Sequence, residues 1–336
     1  MSLFAFAPSR GPRWPLATQA ALGIAVPIAV MTLWGQPSLG YIAASGAFTV
    51  LFAGSASAVD RAKLLPLVGA GLVISAALGV ALSSIPWLVS VGVVVVAIAS
   101  AALAFGFRLG PPGPLFFVLI YGLSAHVIAD SPLPPVVYLA ALAAGCAFSY
   151  AVAMTPLLLP RARAVERRPL RALLPGPSLD ADARMLLLRV ALVAVLGVLL
   201  GLIVDPARTY WIVGSAVAVV GVAAARRAAF QRGLHRMLGT IVGAGLYALL
   251  ALLHPSGLWL ALLLGALQFA IELVVVRHYA LALVFITPLV LLLTGAATGE
   301  IGSFDVALER IVDTMVGAAL GAASGVLHPR AAARSD

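Results

Sequence analysis

Apolar runs of 17 to 26 residues recur along almost the whole chain, broken by short polar or turn-forming segments. A helix that crosses the hydrocarbon core of a bilayer needs about 20 mainly apolar residues, because unpaired backbone N–H and C=O groups cannot be left in lipid. The pattern predicts spans near residues 15–34, 39–58, 64–84, 86–107, 112–129, 134–159, 185–204, 209–225, 235–253, 257–275, 279–297 and 305–327. The breaks carry turn chemistry or charge, as at Gly35-Gln36-Pro37-Ser38, Asp60-Arg61, Ser84-Ile85-Pro86, Ser131-Pro132, Asp205-Pro206 and His254-Pro255-Ser256. One connector is long, the arginine- and proline-rich stretch 160–184. The predicted class is an all-α polytopic membrane protein of about twelve transmembrane helices in two six-helix halves. The halves are residues 1–159 and 185–329, with a linker at 160–184 and a tail at 330–336.

Composition agrees with this pattern and removes the soluble classes. Hydrophobic residues make up 62% of the 336 positions and charged residues 10%, against about 25% charged in a soluble domain. The single cysteine, Cys146, lies in an apolar run, so no intramolecular disulfide or thiolate metal cage can form. The first residues lack the basic start and cleavage site of a secretory signal, so the first span is expected to remain. The net charge is +9, but the cations sit in short clusters between apolar runs, which speaks against nucleic acid as a partner. Their distribution sets orientation instead. The N-terminus, the connectors after even-numbered spans and the C-terminus hold 18 of the Lys and Arg residues, and the opposite loops hold only Arg208. By the positive-inside rule both termini and the linker are cytoplasmic, with Asp130, Asp205 and Glu300 outside.

The second half contains an internal repeat. Residues 234–255 and 308–329 match without a gap at 11 of 22 positions, pairing Arg236 with Arg310, Thr240 with Thr314, Gly243 with Gly317, and His254-Pro255 with His328-Pro329. The unit is 74 residues, or three spans, so the copies enter the membrane from opposite faces. Such a 3+3 inverted repeat is a transporter signature. A weaker echo links the halves: Val68-Gly69-Ala70-Gly71-Leu72 is similar to Val242-Gly243-Ala244-Gly245-Leu246, and Tyr41 lies where Tyr210 falls. The first half shows no intramembrane Arg or acid of the kind found in the second, which places any chemistry in the second.

The run Tyr210-Trp211, Arg232, Arg236, Gly239-Thr240, Gly243, Tyr279-Ala280-Leu281, Phe285-Ile286-Thr287-Pro288, Arg310, Asp313-Thr314 and Gly317 resembles the fusaric acid resistance (FUSC) and aromatic acid exporter superfamily. Plant aluminium-activated malate transporters look like distant relatives. The resemblance covers residues 184–328. It implies a bacterial plasma- or inner-membrane protein that exports small organic anions such as aromatic carboxylates, with membrane lipid and a possible homodimer as partners. Gram-negative members commonly carry a large cytoplasmic domain between their halves, where this chain has about 25 residues.

No phosphate-cradling loop, HExxH motif or Cys/His cluster is visible, so neither an enzyme activity nor a cofactor is expected. The histidines His126, His235, His254, His278 and His328 lie near span ends and read as interfacial residues. Charge inside hydrocarbon costs at least about 2.5–3.5 kcal/mol per group, so such residues face a bundle interior or a wet path. Arg189 and Glu272 lie near the cytoplasmic boundary, where snorkelling or mutual pairing satisfies them. Arg236 is either a positive-inside anchor or a receiver of substrate. Arg310 and Asp313 share a helix face, with Glu309 and Asp313 as an i, i+4 pair. Two readings stand. Arg310 binds a carboxylate while Asp313, with Glu309, exchanges a proton, or Arg310 and Asp313 neutralise each other and lock the bundle.

Thr240, Thr287 and Thr314 add polar atoms to the candidate path. Pro288 frees the Val284 carbonyl, giving either a broken helix with exposed dipoles or a filled kink. Gly197, Gly201, Gly239, Gly243, Gly317, Gly321 and Gly325 fit close helix packing, and Tyr210-Trp211 fits an aromatic belt at the outer boundary. The expected function is a proton-coupled secondary transporter of organic anions, with a passive anion channel and a non-transporting scaffold as rivals.

Overall fold

The computed structural model describes residues 6–8, 11–129, 131–204, 206–221, 225–299 and 301–327. Asp130, Asp205, Glu300, His328-Pro329 and the 330–336 tail, on which parts of the predicted topology and repeat rest, lie outside the described residues. The described chain is helical, without strands. The first half comprises α1 (Trp14–Leu33), α2 (Pro37–Ala44) continued by a 3-10 segment (Ser45–Leu51), α3 (Ala58–Leu82), α4 (Pro86–Gly106), α5 (Leu115–Ala129) and α6 (Pro135–Met154). Two short helices, α7 (Pro160–Arg163) and α8 (Leu170–Leu173), lie in the linker. The second half comprises α9 (Ala181–Val204), α10 (Thr209–Val220), α11 (Arg226–Ala251), α12 (Gly257–Val274), α13 (Tyr279–Thr298) and α14 (Phe304–Ala323).

Every predicted window holds helix, but the windows are unequal. Nine helices of the described residues are long and apolar enough to cross a membrane, whereas Pro37–Leu51, Leu115–Ala129 and Thr209–Val220 are shorter. At 1.5 Å per residue, the 12 residues of α10 cover about 18 Å of a core about 30 Å thick. Of the twelve predicted windows, nine thus hold membrane-length helices and three hold short apolar ones. Local signals set the ends: Pro37, Pro86 and Pro135 start helices where no N–H is needed. The Ser57 and Ser303 hydroxyls accept from the backbone N–H groups of Asp60 and Val306. Gly299, at φ 81°, closes α13. Pro288 does not break its helix, since α13 runs through it and the Thr287 hydroxyl donates to the Leu283 carbonyl at 2.9 Å.

The short helices are central because glycines let long ones close on them. All of α10 is buried. On one side Gly197 and Gly201 of α9 face Val213 and Thr209, and on another Gly317 and Gly321 of α14 face Ile212, Ser215 and Ala216. A Cβ at Gly317 would stand 2.2 Å from the Ile212 carbonyl oxygen. The first half repeats this crossing, where a Cβ at Gly145 of α6 would stand 1.9 Å from the Ala43 oxygen of α2. Other pairings also run in parallel: α1 on α2 and α9 on α10, α3 on α5 and α11 on α13, α3 on α6 and α11 on α14. Between halves, α1 packs on α12 and α4 on α9.

Contacts sort the helix ends into two faces. On the linker face, Arg13 pairs with Glu272 at 2.8 Å, Arg168 with Asp60 at 2.5 Å, and the Arg226 backbone lies beside Gly325. On the opposite face, Arg208 pairs with Glu309, and Gly302 donates its N–H to the Tyr247 hydroxyl. The expected Arg189–Glu272 pairing is replaced: Glu272 takes Arg13, and Arg189, fully buried, donates to the Ser324 hydroxyl.

Candidate functional site

A cavity of about 750 Å³ opens on the face opposite the linker, between the two halves. Its walls come from the short helices and their neighbours: Tyr41 of α2, His126 of α5, Tyr210 and Trp211 of α10, Thr294 of α13, and Arg310 and Asp313 of α14, with Arg208 at its edge. The turn Pro206–Arg208 leads straight into α10, so Tyr210 and Trp211 belong to the first turn of a buried helix. They are 2% and 8% exposed, which takes them out of the aromatic belt expected of them and into the cavity wall.

α14 divides its polar residues between the cavity and its rim. The Arg310 guanidinium lies over the Trp211 ring, 3.9 Å from the centroid, a cation–π contact strengthened by loss of water. Its Nε and Nη1 are buried and meet no hydrogen-bond acceptor. Asp313, one turn further along, is buried and lines the same cavity. Glu309 instead forms an ion pair with Arg208.

A second cluster follows toward the linker face. Arg236 of α11 donates to the Tyr279 hydroxyl at 2.9 Å and to the Ser215 hydroxyl at 3.3 Å. Arg232, one turn earlier, stacks on the Tyr279 ring at 3.9 Å and donates to the Ala218 carbonyl at 2.9 Å. Arg236, Asp313, Tyr210 and Tyr279 all lie within electrostatic reach of Arg310. None of Arg232, Arg236, Ser215 and Tyr279 lines the cavity, which ends at Arg310 and Asp313. Two stations of buried positive charge therefore lie along one flank of α10.

The threonines fall between and behind these stations. Thr240 and Thr314 are buried, and the Thr314 hydroxyl meets no partner. Thr287 spends its hydroxyl within α13 and turns its Cβ to Gly243. Gly239 likewise faces the Ala280 carbonyl, which draws α11 onto α13 and sets Arg236 beside Tyr279.

Residues 191–324 match the family model for fusaric acid resistance protein-like sequences. The second half is FUSC-like. A 115-residue stretch is 34% identical to an uncharacterized membrane protein, YvaC, of Bacillus subtilis (strain 168). That stretch covers 34% of this chain and 18% of the relative. No solved structure matches. Both arginine stations and Asp313 fall inside the FUSC-like stretch.

Tyr279, Ser215 and Trp211 join this site without having been singled out as site residues by sequence. Tyr279 stood in a motif and Ser215 as the lone hydroxyl between Ile212 and Val220, but their partner arginines lie far away in sequence. The first half also corrects an expectation, because it does hold buried charge. Asp60 and Arg61 are 1% and 6% exposed, and Arg61 donates to Gln19 and to the Val50 carbonyl, both at 2.8 Å.

Proposed function

We propose that this FUSC-like membrane protein is a secondary transporter that exports small organic anions, aromatic carboxylates among them, across a bacterial plasma membrane. The observation that carries the reading is the charge balance along α10. Arg310 lines the inner end of a cavity of about 750 Å³ and keeps buried N–H donors that meet no acceptor, and Arg236 is held only by neutral hydroxyls in its described hydrogen bonds. Buried cations with spare donors favour a carboxylate, whose two oxygens match the guanidinium fork.

The positive-inside count makes the linker face cytoplasmic, so the cavity opens outward and Arg236 with Tyr279 bars its cytoplasmic end. The sequence repeat that aligns Arg236 with Arg310 supports reading α9–α11 and α12–α14 as an inverted pair, with one station from each copy. Asp313, beside Arg310 in the cavity, is the proton carrier of this reading. Glu309, paired with Arg208, tunes the cavity rim. One-sided access favours a carrier over a passive channel.

The test uses purified protein in liposomes with an imposed pH gradient and a panel of labelled aromatic and dicarboxylic acids, with protonophore and empty-liposome controls. Wild-type protein accumulates an acid against its gradient. Asp313→Asn retains downhill flux but loses accumulation, and Arg310→Gln loses both. Downhill flux alone in wild type supports a channel, and absence of flux for every acid rejects the reading.

A further inference from the structure

The linker carries a feature that transport does not use. Arg161, Arg163, Arg167 and Arg171 are all exposed, and no carboxylate lies within ion-pair distance of any of them in the described structure. Just before them come Leu158 at 77% exposure and Leu159 at 63%, and Val165 and Leu170, also exposed, lie among them. A freely moving loop would carry such residues into water. This one is tied down at two points along the linker. Arg168 pairs with Asp60 of α3, and Lys63 donates to the Arg168 carbonyl. Further on, Ser178 donates its N–H to the Gly106 carbonyl at the end of α4, and Asp180 pairs with Arg108 at 3.6 Å. The strip is thus held against the start of α3, and the chain that follows it is held at the end of α4.

We infer that residues 158–171 form a docking strip for anionic phospholipid of the leaflet on the linker face. The exposed leucines enter the acyl boundary, and the four arginines take the phosphodiester oxygens above it. Arg163 gives one N–H to the Leu158 carbonyl at 3.3 Å and keeps the rest of its fork; a guanidinium fork without a carboxylate suits a phosphate geometrically, and basic clusters next to a membrane helix gain about fivefold in anionic-lipid association per cation near the surface. The Asp60–Arg168 pair keeps the strip at this level by leaving one arginine out of lipid binding and anchoring the backbone instead. The inference is independent of what the protein transports.

The test is native mass spectrometry of the full-length protein in mild detergent, titrated with phosphatidylglycerol and, in parallel, with phosphatidylcholine of the same chains. Wild-type protein binds the anionic lipid with at least about fivefold preference, and the preference shrinks as ammonium acetate is raised. The combined variant Arg161→Gln, Arg163→Gln, Arg167→Gln and Arg171→Gln reduces it to the phosphatidylcholine level with an unchanged melting temperature, whereas Glu166→Gln preserves or raises it. Excess glycerophosphate, which has the headgroup phosphate without chains, leaves lipid binding intact. Equal binding of the two lipids by wild type, full preference in the combined variant, or displacement by glycerophosphate each overturns the inference. If the combined variant does not fold, the wild-type lipid comparison and the glycerophosphate arm still decide it.

Discussion

Arg61 and Arg232 make the same contact in the two halves of the chain. Each lies near the start of its half's third helical segment and donates to a carbonyl in the last turn of the short second segment, Arg61 to Val50 at 2.8 Å and Arg232 to Ala218 at 2.9 Å. The second segments are the broken α2 with its 3-10 extension and the buried α10. Both stop short, leaving carbonyls without intrahelical partners, and a guanidinium supplies the missing donors. The halves then diverge. Arg61 gives its Nη1 to Gln19, while Arg232 lies on the Tyr279 ring beside Arg236.

Arg61→Met should therefore act on stability. It strips the Val50 carbonyl and the Gln19 amide oxygen of a buried charged donor, at a cost of about 1–3 kcal/mol for each group left unsatisfied. The expected result is a melting temperature several degrees lower in detergent, with transport per folded molecule unchanged. An unaltered melting curve would show that Gln19 and Val50 find other partners.

The helix crossings give a second contrast within one helix type. Gly317→Val places a side chain against the Ile212 carbonyl and the Ser215 Cβ, which a Cβ would approach at 2.2 and 2.6 Å. Because backbone cannot yield as a side-chain tip can, α14 must move off α10, and the expected outcome is loss of monodisperse protein. Gly245→Ala meets nothing within 4 Å and removes a flexible helix residue, so it should be neutral or stabilising by up to about 1 kcal/mol. Size-exclusion profiles and melting curves of both variants check the pair, and a stable Gly317→Val would contradict the tight crossing.

Much of this arrangement was legible in the sequence, because lipid imposes a strong pattern. Every apolar window bounded by proline, glycine or serine holds a helix. What composition hid is how far each helix extends. The run from Thr209 to Val220 is as apolar as its long neighbours, and its shortness appears only when the glycines of α9 and α14 enclose it. Asp60 and Arg61 looked like loop charge, yet α3 begins at Ala58 and both are buried by Arg168 and Gln19, partners 108 and 42 residues away. Arg310, Asp313 and Arg236 were legible as charges too costly to leave in lipid. Their division into a cavity-lining pair and a separate cluster with Tyr279 depended on packing between α10, α11 and α13.

Arg310 offers a graded test of the cavity. Lysine keeps the charge but loses the planar fork and most of the stacking on Trp211. Glutamine loses the charge as well. Anion flux in liposomes should fall in the order wild type, Arg310→Lys, Arg310→Gln, with the last down by about tenfold or more, the worth of one charge-assisted hydrogen bond. Equal fluxes for lysine and arginine would mean that only charge matters at this position, and equal fluxes for all three would remove Arg310 from the path.

Tyr279→Phe separates a gate from a strut. The hydroxyl accepts from Arg236 and also bonds Arg232, whose guanidinium lies on the ring, so the substitution removes the hydroxyl's bonds and keeps the stack. Arg236 still holds Ser215 and Arg232 still holds the Ala218 carbonyl, and a lost bond to a charged donor is worth about 1.5–3 kcal/mol. If the cluster closes the path beyond Arg310, that loss raises the population of the open form, and downhill anion flux rises severalfold with little change in melting temperature. If the cluster serves only to tie α11 to α13, the melting temperature falls and flux stays level. The two roles move different readouts of this one variant, flux for the gate and melting temperature for the strut, so the result assigns Tyr279 to one role or the other.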